Sequence, residues 1–307
     1  MPMIKNGELL LKKFNFLVLF SILFFCLFSC KSLSLPEENV RALELLDNKS
    51  SFYLRIPASM DKKLIEKILR NSVQNLSPKN AASVVERIDT IYVGMIRSRK
   101  GATFQLSADC NFPKIVLDNA LTKKNGWEKE FLSLKNKEGK NVSYSIFKNQ
   151  NLKLSCPSEH IVCLGRDVLN MVERYNSLNN ENLDNGYESL MQDAYEWLSY
   201  EDGIQDNQVR FFAQKPQSFL TLLTGARLNF QLVNVRGAME NDPLSDNQYL
   251  LRLEFEFKDS RTVPAARGAL SLAFGLTDSN VFMESPTHLV VSGIKIEKQS
   301  LHKILVL

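Results

Sequence analysis

Few residues in this chain have the types and spacing to do chemistry. Four Ser-x-x-Lys pairs occur, Ser59/Lys62, Ser145/Lys148, Ser292/Lys295 and Ser300/Lys303. That spacing sets a lysine beside a serine nucleophile in some acyl enzymes, but no companion Lys-Thr-Gly element accompanies it here. His160 and Cys163 are separated by two residues. Zinc needs three or four ligands, and no second cluster supplies the rest, so a turn histidine and a strand cysteine are expected. Glu201, Asp202 and Asp206 cluster near Gly203 without the spacing of a calcium loop. Trp127 and Trp197 sit beside glutamates and read as packing residues. Nucleotide and metalloprotease signatures are absent, as is the Gly-x-Ser-x-Gly elbow. No catalytic residue, metal or cofactor is expected. Two cysteine features remain. Cys156 and Cys163 flank a two-residue turn at Glu159-His160, which would set them opposite each other as a candidate disulfide. Pro157 disturbs that ladder, and hydrogen-bonded opposed pairs are wide for a disulfide. Cys30 directly follows the small Ser29, at the end of an apolar run.

That run organises the N-terminus. Phe16 to Phe28 is apolar except for Ser21, and Lys5, Lys12 and Lys13 precede it. A charged segment, a short apolar segment and a small residue before a cut make a secretory signal. Thirteen positions fall short of the ~20 needed to span a bilayer. Leu27, Ser29 and Cys30 resemble the lipobox of bacterial lipoproteins, with Phe28 bulkier than the usual residue at its position. The Phe-rich run resembles spirochaete lipoproteins, treponemal ones in particular. The resemblance implies a diacylglycerol thioether on Cys30, cleavage before it and acylation of the new amine. It implies membrane lipid as a partner and the cell envelope as the location.

Removing residues 1–29 leaves 278, enough for one large domain or two small ones. The whole chain carries +4 and the signal +2, so the remainder is only +2. This is too weakly basic for a nucleic-acid stripe, and export argues against one. A contact with an anionic lipid surface stays open. With Cys30 acylated, Cys110, Cys156 and Cys163 remain. They are too few for a disulfide scaffold, although an exported compartment permits disulfides.

Periodicity divides the chain into a lipidated tether with a short helix (30–50), an α+β unit (51–175), a polar, Asn-rich linker (176–186) and a second α+β unit (187–307). In the first unit, Ser51–Pro57 reads as a strand. Asp61–Val73 reads as a helix with Leu64, Ile65, Ile68 and Leu69 on one face and Lys62, Lys63, Lys67 and Arg70 opposite. Ser77–Asn80 reads as a turn, and Ile88–Ile96 with Thr103–Cys110 as a hairpin. Lys114–Leu121 reads as a Pro-led helix. Val142–Phe147, Leu152–Cys156 and Ile161–Leu164 read as strands, and Arg166–Tyr175 as a helix. The second unit starts with a helix, Tyr187–Tyr200, and holds the cleanest alternation, Leu251, Leu253, Phe255 and Phe257 against Arg252, Glu254, Glu256 and Lys258. Such a strand has one face buried and one wet. The fold class expected is α+β, largely antiparallel sheets packed by amphipathic helices, with the shared element order pointing to two tandem similar units.

These features favour a lipid-anchored envelope lipoprotein whose body is a non-catalytic binding or membrane-associating module. Leu64, Ile65, Ile68 and Leu69 form the candidate membrane-contact face, the alternative being that they pack on the protein's own sheet. A carrier of lipid or another hydrophobic ligand, and an envelope enzyme of unknown chemistry, are the alternatives. The first would need an apolar pocket, the second convergent carboxylates or a Ser/Lys contact.

Overall fold

Period-2 alternation along much of the chain lays down strands, and in the computed structural model twelve of them join one antiparallel sheet. The structure describes residues 40–299, apart from 73–76, 99–100, 114–120, 151, 181–191, 200–206, 215, 218–229 and 276–278. The strands are β1 (Phe52–Pro57), β2 (Ile88–Ser98), β3 (Gly101–Cys110), β4 (Glu128–Lys135), β5 (Asn141–Asn149), β6 (Leu152–Ser155), β7 (Ile161–Gly165), β8 (Val209–Ala213), β9 (Leu232–Asn241), β10 (Gln248–Phe257), β11 (Asn280–Ser285) and β12 (His288–Glu297). Five α-helices accompany them among the described residues: α1 (Lys62–Ser72), α2 (Pro78–Val85), α3 (Val168–Asn179), α4 (Gln192–Ser199) and α5 (Val263–Phe274). The class is α+β, as the periodicity implies.

The strand order is β11-β12-β10-β9-β8-β1-β2-β3-β7-β6-β5-β4. The stretches 51–175 and 187–307 thus share one sheet, joined where β1 pairs antiparallel with β8. The sheet buries its two faces against different helices. On one face, Ile56, Ile91, Phe211, Val235, Leu253 and Val291 meet Ile65 of α1, Val85 of α2 and Val263, Ala266 and Leu270 of α5. On the other, Tyr53, Tyr92, Tyr144, Ile146, Cys163 and Phe212 meet Leu43 and Leu45, Val168 and Met171 of α3, and Ala194 and Leu198 of α4. Neighbouring residues on one strand serve opposite cores, Tyr53 against Leu54 on β1 and Phe211 against Phe212 on β8, because strand side chains alternate between faces. Gly237 lies opposite Phe211 on the adjacent strand, and a Cβ there would fall 2.4 Å from the Phe211 ring. Its lack of a side chain lets that ring stack on Phe52 at 5.7 Å.

Several boundaries differ from the sequence reading. Ser77–Asn80 is no isolated turn. Ser77 Oγ accepts from the Asn80 amide at 3.2 Å and Pro78 opens helix α2, the arrangement of an N-cap followed by proline. Between 40 and 50 the described residues hold only a 3-10 turn, Ala42–Leu45, and Val40, Leu43 and Leu46 are buried in the second core. Strands β4 and β11 were not expected. β4 (EKEFLSLK) is an edge strand, exposed along most of its length, so no burial pattern marks it. The polar stretch 176–186 begins inside α3, which runs to Asn179. Asn176 is buried there, accepting from the Tyr144 hydroxyl at 3.0 Å and donating to the Lys135 carbonyl oxygen at 3.0 Å. Residues 181–186 lie outside the described ones, as do 1–39, 300–307 and most of the helix expected at Lys114–Leu121.

Candidate functional site

Helix α1 carries the basic amphipathic face singled out in the sequence. Asp61 starts it, its Oδ1 accepting from the Leu64 amide at 2.9 Å. The other Asp61 oxygen takes the hydroxyl of Tyr249 on β10, so one carboxylate caps the helix and ties it to the sheet. Burial and this bond push the Tyr249 hydroxyl well above the ordinary tyrosine range, keeping it protonated as the donor. Lys62 Nζ donates to Glu86 at 2.9 Å, beyond the end of α2. Leu64 and Ile65 are 5% and 2% exposed and Leu69 is partly buried against the first core. The Ile68 side chain lies outside the described residues. Lys62, Lys63, Lys67 and Arg70 are exposed on the opposite side. The apolar face is therefore held by the protein itself, with the cations outermost.

The cysteines gather around β7. Burial pushes the Cys163 and Cys156 thiols far up, with Cys163 adding to the effect at Cys156 and Cys110 to that at Cys163. The register differs from the one the turn predicted: β6 and β7 pair Ser155, not Cys156, with Cys163, a slip of one residue. No disulfide joins Cys110, Cys156 and Cys163 to one another in this structure. His160 contributes a backbone carbonyl to the Cys110 amide at 2.9 Å. Among the described residues no group of three or more His, Cys, Asp or Glu is placed to hold a metal ion. Cys30, Glu201, Asp202 and Asp206 fall outside the described residues.

Two of the Ser/Lys pairs, Ser59/Lys62 and Ser145/Lys148, do not meet. Ser59 Oγ donates to Asn207 at 2.7 Å while Lys62 reaches Glu86. Ser145 and Lys148 are three residues apart on β5, so they point to opposite faces. Ser300 and Lys303 are not described. A Ser-Asp-Asn triplet at Ser245–Asn247 lies in the β9–β10 turn, where the Ser245 amide donates to Asp242 at 3.2 Å.

Three buried arginines escaped the sequence reading. Arg55 (4% exposed) and Arg210 (1%) are register partners on β1 and β8, and Arg174 donates to the Leu46 carbonyl oxygen at 3.1 Å. Arg210 Nη1 donates to the Trp197 carbonyl oxygen at 3.3 Å, and its guanidinium lies 5.7 Å from the Trp197 ring centre. Arg236 stacks closer on the same ring, at 4.7 Å, while its Nε donates to Glu254 at 2.7 Å. Trp197, Arg210 and Arg236 line a cleft of about 460 Å³ beside α4. Trp197 is not mere packing: its indole donates to the Phe211 carbonyl oxygen at 3.0 Å and its ring forms one wall of that cleft.

The described body is α+β, with one wide antiparallel sheet and the basic amphipathic helix α1. The family model described as outer membrane-associated lipoprotein TP0453 matches residues 37–302, and the chain belongs to that family. Three crystal forms of TP0453 share its fold. Form I aligns at a TM-score of 0.64 and 16% identity, covering 87% of this chain and 97% of that one. Form III gives 0.62 and 17%, covering 87% and 98%. Form IV gives 0.60 and 16%, covering 87% and 97%. No curated protein matches the chain. Among the described residues no helix is long and apolar enough to cross a membrane.

Proposed function

We propose that this envelope lipoprotein is held at the outer membrane by acyl chains on Cys30 and that its body is a non-catalytic module which meets anionic lipid through α1. Family membership supports the location. The observation that carries the rest is the construction of α1, with Leu64 and Ile65 inward and Lys62, Lys63, Lys67 and Arg70 outward. The cations are already where headgroups would meet them. Each contributes about 1 kcal/mol at most near an anionic surface.

Inserting the apolar face first removes it from the core, which costs roughly 1.5–3 kcal/mol for each leucine-sized side chain, and lipid returns a similar amount. The electrostatic gain then decides the balance, so binding depends on anionic lipid. A second acyl chain matters for the same reason, since one chain alone anchors only marginally. The described cleft is lined by charged side chains, which gives no support to the hydrophobic-ligand carrier, while its carboxylates, Asp193, Glu196 and Glu256, are the feature the enzyme alternative asks for.

The anchor is tested by replacing its nucleophile. Cys30→Ala abolishes palmitate incorporation and leaves the precursor uncleaved. Normal labelling of that variant would remove Cys30 from the account.

A further inference from the structure

The charged cleft beside α4 has no part in the membrane reading. Its floor is one face of the sheet. Asn234 on β9, Glu256 on β10 and His288 on β12 stand in register across three adjacent strands. Arg236 shares that face two residues along β9, opposite Glu254. Arg210 closes the inner end on β8. The outer wall is α4, where Asp193, Glu196 and Trp197 fall at i, i+3 and i+4 and so project from one side of the helix.

Both signs of charge line the cleft, the cations from the sheet and the carboxylates from α4 and the sheet together. Arg210 and Arg236 flank the Trp197 ring. Asp193 and Glu196 come from the helix, and Glu256 from the strand beyond Arg236. Glu256 is fixed in place, accepting from Asn234 Nδ2 at 2.6 Å. Arg252 on the same sheet face has a side chain 43% exposed, but Arg210 is 1% exposed and still lines the cleft. A simple anion would face three carboxylates, and a simple cation two guanidinium groups. A molecule carrying both charges satisfies both sets. The volume, about 460 Å³, lies within the range of small-molecule sites.

We propose that this cleft binds a small zwitterion, its anionic oxygens directed to Arg210 and Arg236 and its ammonium to Asp193, Glu196 and Glu256. A planar guanidinium fork suits a carboxylate or phosphate, and an ammonium suits several carboxylate oxygens at once. The chemistry is shared by short peptides in solution and by a phosphoethanolamine group, free or on a lipid.

The Trp197 indole N–H, tied to the Phe211 carbonyl oxygen, is the reporter. Every described element begins at or after Val40, so a chain starting at Lys31 keeps the whole core. In that protein the indole resonance, assigned with Trp127→Phe, is followed by NMR during addition of dialanine, O-phosphoethanolamine, acetate or methylammonium. A saturable shift is expected from at least one zwitterion and from neither single-charge compound. Glu256→Gln and Arg236→Gln, each with an unchanged circular dichroism spectrum, should each weaken it at least about tenfold. A shift seen only with phosphatidylethanolamine vesicles assigns the site to a lipid headgroup. Silence with every zwitterion and with those vesicles, or an equal response to acetate or methylammonium alone, overturns the proposal.

Discussion

Arg55 on β1 and Arg210 on β8 stand directly opposite each other at the join between the N-terminal and C-terminal parts of the sheet, and both are buried. Arg55 donates to the Tyr92 hydroxyl, and Arg210 to the Trp197 carbonyl oxygen. Burying two like charges side by side is costly, and their aliphatic stems and hydrogen bonds offset that cost. Arg210→Ala removes the stem and the bond together and should lower unfolding stability by about 2 kcal/mol in urea denaturation. Arg210→Met keeps the packing without the charge and should recover most of the loss. A methionine variant as unstable as the alanine one would show that the charge, not the packing, holds the join.

Asp61 and Tyr249 hold α1 to β10. Tyr249→Phe removes only the hydroxyl. It should cost about 1–2 kcal/mol of stability, a hydrogen bond to a carboxylate being worth more than a neutral one. It should also raise the fraction of protein bound to anionic vesicles, because a less tightly held α1 is released more easily. Lower stability without increased vesicle binding would separate the two effects and count against α1 as the contacting element.

Asp109 gives the pH signature. Its carboxylate accepts from the Ala42 amide at 3.2 Å and from the Tyr92 hydroxyl, yet burial dominates and raises its pKa. A carboxyl with a raised folded pKa contributes stability that is fully present below the unfolded value of about 3.9 and is lost as pH rises through the folded one. Burial therefore makes the charged form of this carboxyl the costly one in the native protein. Asp109→Asn keeps the acceptor oxygen and removes the charge. Its Tm should exceed the parent's at neutral pH, with the gap closing below about pH 4. A gap independent of pH would mean the charge is irrelevant.

Cys163 is fully buried with its thiol pushed up, which leaves almost no reactive thiolate. Iodoacetamide at neutral pH should spare Cys163 in the native protein and modify it in urea, read by mass spectrometry of peptides. The candidate Cys156–Cys163 disulfide is tested on the same samples. With Ser155 rather than Cys156 opposite Cys163, equal thiol counts before and after reduction are expected. A gain of two thiols on reduction would establish the bridge.

How much of this was legible depended on where each signal is written. The alternation of β10 fixes its buried face from four residues, Leu251, Leu253, Phe255 and Phe257, and all four are buried. The face of α1 was equally readable from Leu64, Ile65 and Leu69. β4 was not, because this edge strand buries only Leu132 and Leu134 in part, while Phe131 on it is 67% exposed. The β6–β7 register was misjudged by one residue because the chain turns over Cys156–His160, a longer loop than two residues. The Arg55–Arg210 pair was invisible, since only the pairing of two distant strands brings those residues together. The cleft left a partial trace, the spacing of Asp193, Glu196 and Trp197 on α4, but its floor comes from strands whose order no local pattern announces.

The central claim is that the body, without its acyl anchor, meets anionic lipid through α1. Co-sedimentation of the chain starting at Lys31 with phosphatidylglycerol and with phosphatidylcholine vesicles tests it most directly, at low and high salt. Binding to the anionic vesicles is expected, weakened by salt through screening of Lys62, Lys63, Lys67 and Arg70, and none to the neutral ones. If the protein stays in the supernatant with both vesicle types, the claim is contradicted, and the acyl chains on Cys30 are the only membrane attachment.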